Sequence, residues 1–454
     1  MRVLVIGLDS APPELVFDEF IDELPNIKKM VENGIYGKLE SIHPPITIPA
    51  WISMATSKSP GKLGLYGFRH RKNYSYKDIW IANSHSIKEK AIWDILAEHD
   101  KKSCLVGVPP SYPPKKINGW LISCFITPDT KKDYTYPKEL KREIESLVGE
   151  YIVDVEFRTD EKDKLLKEIY EMTEKRFEVI KYLLQNKDWD FFMFVEIGLD
   201  RVQHAFWKFF DKEHHLYQKS EYENVIKDYY RYLDREIGDL LSIARDAIIL
   251  IVSDHGAKRM KGAFCINEWL IEKGYLRLKN KPDRIISLDK AEIDWKNTKA
   301  WGWGGYYARI FLNVEGREPQ GTIKPASYES FRDEIAREIM NIRDSQENPM
   351  DNKILKPDEI FDEYNGDYPD LMVYLDDLYW RSAGTIGHNS LYLKENDTGP
   401  DDAVHSAHGI FIIYDPRKKI GKEVDASILD IAPTILDLMG IPVPRDMEGS
   451  IIRV

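Results

Sequence analysis

Ala247-Ile248-Ile249-Leu250-Ile251-Val252-Ser253-Asp254-His255-Gly256 is an apolar run without polar alternation that delivers a carboxylate and an imidazole side by side. Such a run suits a strand covered on both faces in a parallel sheet, and the carboxyl end of that strand is where an open α/β sheet binds ligands. A lone Asp-His-Gly also serves as a loop cap beside a surface histidine. Its meaning therefore depends on what the other strand ends carry.

Two other apolar runs end in the same way. Val3-Leu4-Val5-Ile6-Gly7-Leu8 leads into Asp9, and the run from Asp190 to Gly198 leads into Leu199-Asp200-Arg201-Val202-Gln203-His204. If a helix starts there, Asp200 and His204 stand at i and i+4 on one face, the spacing that offers two ligands to one ion. Thr47 lies between Pro45 and Pro49. These prolines restrict its neighbours and present its hydroxyl at a helix start, where unpaired amides favour an anion. His408 stands at the entrance of the strand Ile410-Phe411-Ile412-Ile413-Tyr414, not at an exit. For His408 to reach the same rim its strand must run against the others, which predicts a mixed sheet. Taken singly, Asp9 and Thr47 also read as helix caps, and Asp200 with His204 as a solvent-facing pair.

The rest of the chain is arranged around that rim. Glu221 to Arg245 is amphipathic and predicts a crossover helix into the Asp254-His255 strand, and Asp430 to Gly440 predicts a packing helix. Residues from about 137 to 186 read as solvated helices. From about 258 to 400, prolines, aromatics and short segments dominate, including Ala300-Trp301-Gly302-Trp303-Gly304-Gly305-Tyr306-Tyr307. Core packing is the expectation for that cluster, with the lining of a substrate cleft as the alternative. The predicted organisation is a metal-binding catalytic core from 1–257 and 401–454. Residues 258–400 form an inserted smaller α+β subdomain that could act as a lid.

The 454 residues are 43% hydrophobic and 31% charged, with a formal charge of −12. That is a globular composition whose acidity disfavours a nucleic-acid polymer while leaving room for a small anionic substrate. Cys104, Cys124 and Cys265 show no metal-type spacing and read as buried thiols of a reducing compartment. There is no signal-peptide pattern, and no apolar run approaches the roughly 20 residues of a spanning helix. The expectation is a cytoplasmic protein without membrane attachment.

Asp9, Asp200, His204, Asp254, His255 and His408 supply three histidines and three carboxylates, enough for two zinc-like ions with positions left open for substrate. Ions about 4 Å apart stabilise the entering and leaving oxygens of an in-line displacement at phosphorus, which points to a small phosphate ester. Zinc is preferred on ligand type, and manganese fits the same set. His388 and His405 are read as non-ligands, because two such ions already have protein partners.

Gly-Leu-Asp at 7–9, Pro-x-x-Thr-x-Pro at 44–49, Asp-x-x-x-His at 200–204, Asp-His-Gly at 254–256 and His-Gly at 408–409 follow one another along the chain. This order resembles the alkaline phosphatase superfamily, and more closely its type I phosphodiesterase and nucleotide pyrophosphatase branch. The resemblance implies an alkaline phosphatase-like α/β fold, with a mixed, mostly parallel central sheet sandwiched by helices. It also implies that Asp200, His204 and His408 hold one ion and that Asp9, Asp254 and His255 hold the other. Thr47 would be the metal-activated nucleophile, with a phosphothreonine intermediate. Thr47-Ile48-Pro49-Ala50-Trp51 lacks the Cys/Ser-x-Pro-x-Arg pattern of sulfatases, and threonine in place of serine tilts toward diesters.

Two positions depart from the pyrophosphatase pattern. Ile48 replaces an aromatic residue, and Phe68 stands where a loop asparagine donates to a phosphate oxygen. Arg69, His70, Arg71 and Asn73 are alternative donors, weighed against a solvated basic loop. The segment Asn313-Val314-Glu315-Gly316-Arg317-Glu318-Pro319-Gln320-Gly321 is similar to one in predicted phosphohydrolases or phosphomutases. The expected function is a two-metal phosphoester hydrolase of the phosphodiesterase or pyrophosphatase type. A phosphomutase of the same superfamily, and a metal-stabilised binding protein without turnover, are the alternatives.

Overall fold

The computed structural model describes residues 1–453, and its apolar runs form one large sheet. In chain order its strands are β1 (Val3–Leu8), β2 (Ile35–Glu40), β3 (Ser103–Val106), β4 (Gly119–Ile122), β5 (Thr135–Tyr136), β6 (Phe191–Glu196), β7 (Ile248–Val252) and β10 (His408–Tyr414), and between the last two the chain contributes β8 (Gly256–Arg259) and β9 (Ala403–Ser406) to a separate ribbon. Across the sheet the order is β2-β10-β7-β1-β6-β3-β4-β5, with Lys422–Glu423 and Ala426–Ser427 on the β2 edge. β7, β1, β6, β3 and β4 run parallel, whereas β10 runs antiparallel to both β7 and β2. The predicted mixed, mostly parallel sheet is present.

Every residue of β1, β6 and β7 is buried. Successive side chains point to opposite faces of a strand, so β1 feeds two cores. Leu4, Ile6 and Leu8 join the core formed with helices α2 (Lys162–Asn186), α3 (Gly198–Phe210) and α4 (Val225–Ile243). Val3 and Val5 join the core formed with α1 (Thr47–Thr56), Ile92–Glu98 and α5 (Ile431–Leu438). The sheet is thus sandwiched by helices. On α4, buried Tyr229, Leu233, Ile237 and Leu240 recur at the three- and four-residue spacing of a single stripe. Among the described residues no helix is long and apolar enough to cross a membrane.

β8 pairs antiparallel with β9, Ala257 opposite His405, so the chain leaves the sheet region and returns along one two-stranded ribbon. Between the two, Ala300–Trp303, Ala308–Leu312, Leu371–Tyr374 and Lys353–Leu355 form a four-stranded antiparallel sheet. Trp301, Ile310, Leu312 and Val373 from it share an apolar core with Ile335 of the helix Tyr328–Met340.

The loop after α1 is not a solvated basic loop. His70 accepts the Tyr66 N–H at Nε2 (2.9 Å) and stacks on Trp80, with ring centroids 4.3 Å apart. Arg71 is buried, pairs with Glu318 (3.1 Å), and lies 4.4 Å from the centroid of Phe311. A flat, weakly hydrated guanidinium tolerates such an aromatic site. Arg69 and Asn73 remain exposed. Glu318 also accepts the Val314 N–H, and Asn313 donates to the carbonyls of Trp295, Thr298 and Gln320. The Asn313–Gly321 segment is therefore a clamp that fastens the loop to the 258–400 segment. Arg71→Ala strands part of a buried ion pair, and a loss of roughly 3 kcal/mol in unfolding free energy is expected. An unchanged urea midpoint would show that the pair contributes nothing.

Candidate active site

The carboxyl rim of the sheet gathers six of the seven predicted residues. Asp9 follows β1, Asp254 and His255 follow β7, and Asp200 with His204 lie on α3, which begins two residues after β6. The sharp β6–α3 turn has a local cause. Buried Glu196 accepts the Gly198 N–H at 2.7 Å, and a Cβ on Gly198 would meet the Tyr229 hydroxyl at 2.1 Å. Thr47 is the first residue of α1, and its Oγ1 lies 3.3 Å from His255 Nε2.

Two buried ligand clusters result: Asp200, His204 and His405, and Asp9, Asp254 and His255. Within each, the candidate ligand atoms lie within 4.8 Å of one another. The clusters are adjacent, because the His255 and His405 rings stack with centroids 3.7 Å apart.

In each aspartate one oxygen is held by the protein and the other is not. Asp9 Oδ2 accepts Trp51 Nε1–H (2.8 Å), Asp200 Oδ2 accepts from Arg201 Nη1 (2.7 Å), and Asp254 Oδ1 accepts the Ser10 N–H (3.1 Å). The remaining oxygens, Asp9 Oδ1, Asp200 Oδ1 and Asp254 Oδ2, are buried without a hydrogen-bond partner. The histidines repeat the pattern. Nδ1 of His204 faces Asp401 Oδ1 (2.7 Å), that of His405 faces the Pro45 carbonyl (2.8 Å), and that of His255 faces the Gly256 carbonyl (3.1 Å). A hydrogen bond from one ring nitrogen leaves the other as a lone-pair donor. Nε2 of His204 and Nε2 of His255 each lie 3.1 Å from an orphaned oxygen, on Asp200 and Asp254 respectively. Buried carboxylate oxygens without partners are costly. Gathered with imidazole lone pairs, they form the donor set that a divalent cation takes.

The electrostatics agree with this fit. Burial, and then the neighbouring carboxylates, push Asp9 and Asp254 well above the usual range. Burial lowers His255 to about 4, and burial followed by His255 and His204 keeps His405 neutral. Against the effect of burial, His204 and Arg201 hold Asp200 low, and Asp200 raises His204 above the usual imidazole range. The pocket is a buried one in which acidic groups crowd each other, and a cation relieves that crowding.

His408 does not join the cluster. It is exposed at the start of β10, opposite Glu40 of β2, and His405 takes the place expected for it. Residues three apart in an extended chain face opposite sides, so only one of the two histidines can point inward. The β8–β9 ribbon selects His405 by setting it opposite Ala257. His388 bonds Thr385 Oγ1 at 2.7 Å and is not part of either cluster.

Two supporting residues, Trp51 and Asp401, lacked a sequence signal of their own. Trp51, four residues after Thr47 on α1, reaches Asp9 by crossing Gly7, where a Cβ would meet its ring at 2.7 Å. Asp401 orients His204 from the strand-return segment. Tyr306 places its hydroxyl 3.2 Å from His204 Nε2. In the glycine and aromatic cluster, Trp301 is thus core, as expected, and Tyr306 lines the site.

A model of the type I phosphodiesterase/nucleotide pyrophosphatase family matches residues 3–402. The chain belongs to that family. Human ectonucleotide pyrophosphatase/phosphodiesterase 5 superposes with a TM-score of 0.56 at 11% identity, covering 98% of this chain and 97% of the human one. That is a likeness of fold, and it agrees with the alkaline phosphatase-like architecture. Short stretches are similar to 2,3-bisphosphoglycerate-independent phosphoglycerate mutases. A 57-residue stretch is 37% identical to the Bacteroides thetaiotaomicron enzyme, and a 67-residue stretch is 31% identical to mutase 2 of Methanosarcina acetivorans. These cover 13% and 14% of this chain, and only 11% and 13% of the mutases.

Proposed function

We propose that this family member is a two-metal phosphoester hydrolase of the phosphodiesterase type, acting through Thr47 on a small phosphate ester. The supporting observation is the shared design of the six ligand residues, each with one atom fixed by the protein and one directed into the cluster beside Thr47. Asp200, His204 and His405 would hold one ion, and Asp9, Asp254 and His255 the other, with zinc preferred and manganese compatible. When bound, such ions supply positive charge to the phosphoryl oxygens and lower the pKa of a neighbouring hydroxyl.

The chain's own residues do the rest. Thr47 opens α1, so its Oγ1 sits where the first-turn amides and the helix dipole favour an anion. Thr47 Oγ1 bonds to phosphorus as the bond to the departing alcohol breaks, the threonine proton ending in net on that alcohol, and water then cleaves the phosphothreonine and restores the Thr47 hydroxyl. Segment 258–400 acts as an inserted subdomain over the site, to which it lends Tyr306. The three cysteines are buried and unpaired, which fits a reducing, cytoplasmic setting.

The short matches to phosphoglycerate mutases favour a second reading, in which phosphothreonine returns its phosphoryl group to another hydroxyl of the bound product. The experiment is turnover of bis(4-nitrophenyl) phosphate beside 4-nitrophenyl phosphate by metal-quantified protein. Faster hydrolysis of the diester is expected. A monoester preference would overturn the diesterase assignment. Absence of turnover for both, with two metals bound, would favour the mutase.

A further inference from the structure

Tyr306 brings a hydroxyl from the 258–400 segment to the edge of the ligand clusters, and its surroundings fix it there. Its ring stacks on His405, with centroids 3.8 Å apart and planes at 23°, and the Arg381 guanidinium lies 4.2 Å from its centroid. Arg158 Nη2 donates to the phenolic oxygen at 3.2 Å. Arg158 and Arg381 also both donate to Asp401 Oδ2, at 3.1 and 2.8 Å. Two guanidiniums therefore share one carboxylate, and the surplus positive charge lies beside the Tyr306 hydroxyl. The Asp401 carboxylate is fully buried, whereas the Arg158 side chain is 28% exposed, so this edge reaches solvent at Arg158.

A phenol that accepts from a guanidinium keeps its own proton to donate. In the structure the Tyr306 hydroxyl lies 3.2 Å from His204 Nε2. Once that nitrogen gives its lone pair to a cation, it can neither donate to nor accept from the hydroxyl, and the O–H must find an acceptor in front of the cluster. We propose that this acceptor is a non-bridging phosphoryl oxygen of the substrate. Tyr306, positioned by Arg158, is then a phosphate-recognition residue supplied by the inserted segment. This rests on the phosphoester reading of the site.

The test is Tyr306→Phe in the full chain, which keeps the ring and its stacking. Inorganic phosphate is titrated calorimetrically into zinc-loaded wild type and variant of measured metal content, with bis(4-nitrophenyl) phosphate turnover followed in parallel. The expected result is unchanged metal content, phosphate binding weakened about 10-fold, and a loss in kcat/KM of at least that order. Arg158→Met should weaken phosphate binding in the same direction. Wild-type phosphate affinity in Tyr306→Phe would overturn the proposal. Loss of zinc would also overturn it, by making Tyr306 a cation ligand. If the wild type turns over no ester, the hydrolase reading fails by itself, and the phosphate titration still decides the role of Tyr306.

Discussion

Thr47→Ala is expected to lower turnover by roughly 10³-fold or more while leaving both metals bound, because the substitution removes the atom that bonds to phosphorus. Few side effects are expected to blur the result. Thr47 makes no capping bond on α1, whose N-cap is Ile46, and its hydroxyl contact is with His255 Nε2 at 3.3 Å. Removing it leaves Trp51 on Asp9 and the Nδ1 bond of His255 intact. Thr47→Ser keeps the oxygen and should retain measurable activity. Acid-quenched wild type given substrate should carry a phosphoryl adduct on Thr47, detectable by peptide mass spectrometry and absent from the alanine variant. Near-normal activity in Thr47→Ala would exclude this nucleophile whatever the metal content.

A second large effect separates two histidines three residues apart. His405→Ala should weaken binding at one metal position by on the order of 100-fold or more, read by metal analysis after dialysis against a weak chelator. His408→Ala should leave stoichiometry and activity unchanged, because His408 is exposed on β10. His405 also packs against His255 and Tyr306, so near-ultraviolet circular dichroism of the loaded variant should accompany the metal analysis to confirm that the fold is retained. Equal metal loss from both variants, or loss from His408→Ala alone, would refute the assignment of His405.

The sheet was legible because its signal is local. Uninterrupted apolar runs at 3–8, 191–195 and 247–252 can be strands buried on both faces, and the polar residues that end them fall on one rim. The Asp200 and His204 spacing likewise needs only the geometry of one helix. The antiparallel direction of β10 was expected in order to bring His408 to that rim; the direction is as expected, but the histidine on the rim is His405 of β9, and His408 is exposed.

What the sequence by itself determined is the set of strand ends, the helix-borne pair on α3 and the placement of Thr47 at a helix start. Each follows from periodicity and from backbone restrictions within a few residues. Which of His405 and His408 turns inward was decided only by the tertiary structure. That choice depends on the pairing of β8 with β9, segments 148 residues apart by their Ala257–His405 register. The same holds for Trp51 on Asp9, Asp401 on His204, Arg71 on Glu318, and the arrival of Tyr306 from the inserted segment. A hydrogen bond or stacking contact between distant segments leaves no period in the chain, because it is selected by burial: once the sheet closes, each polar atom taken out of water must find a partner among the groups the fold brings near.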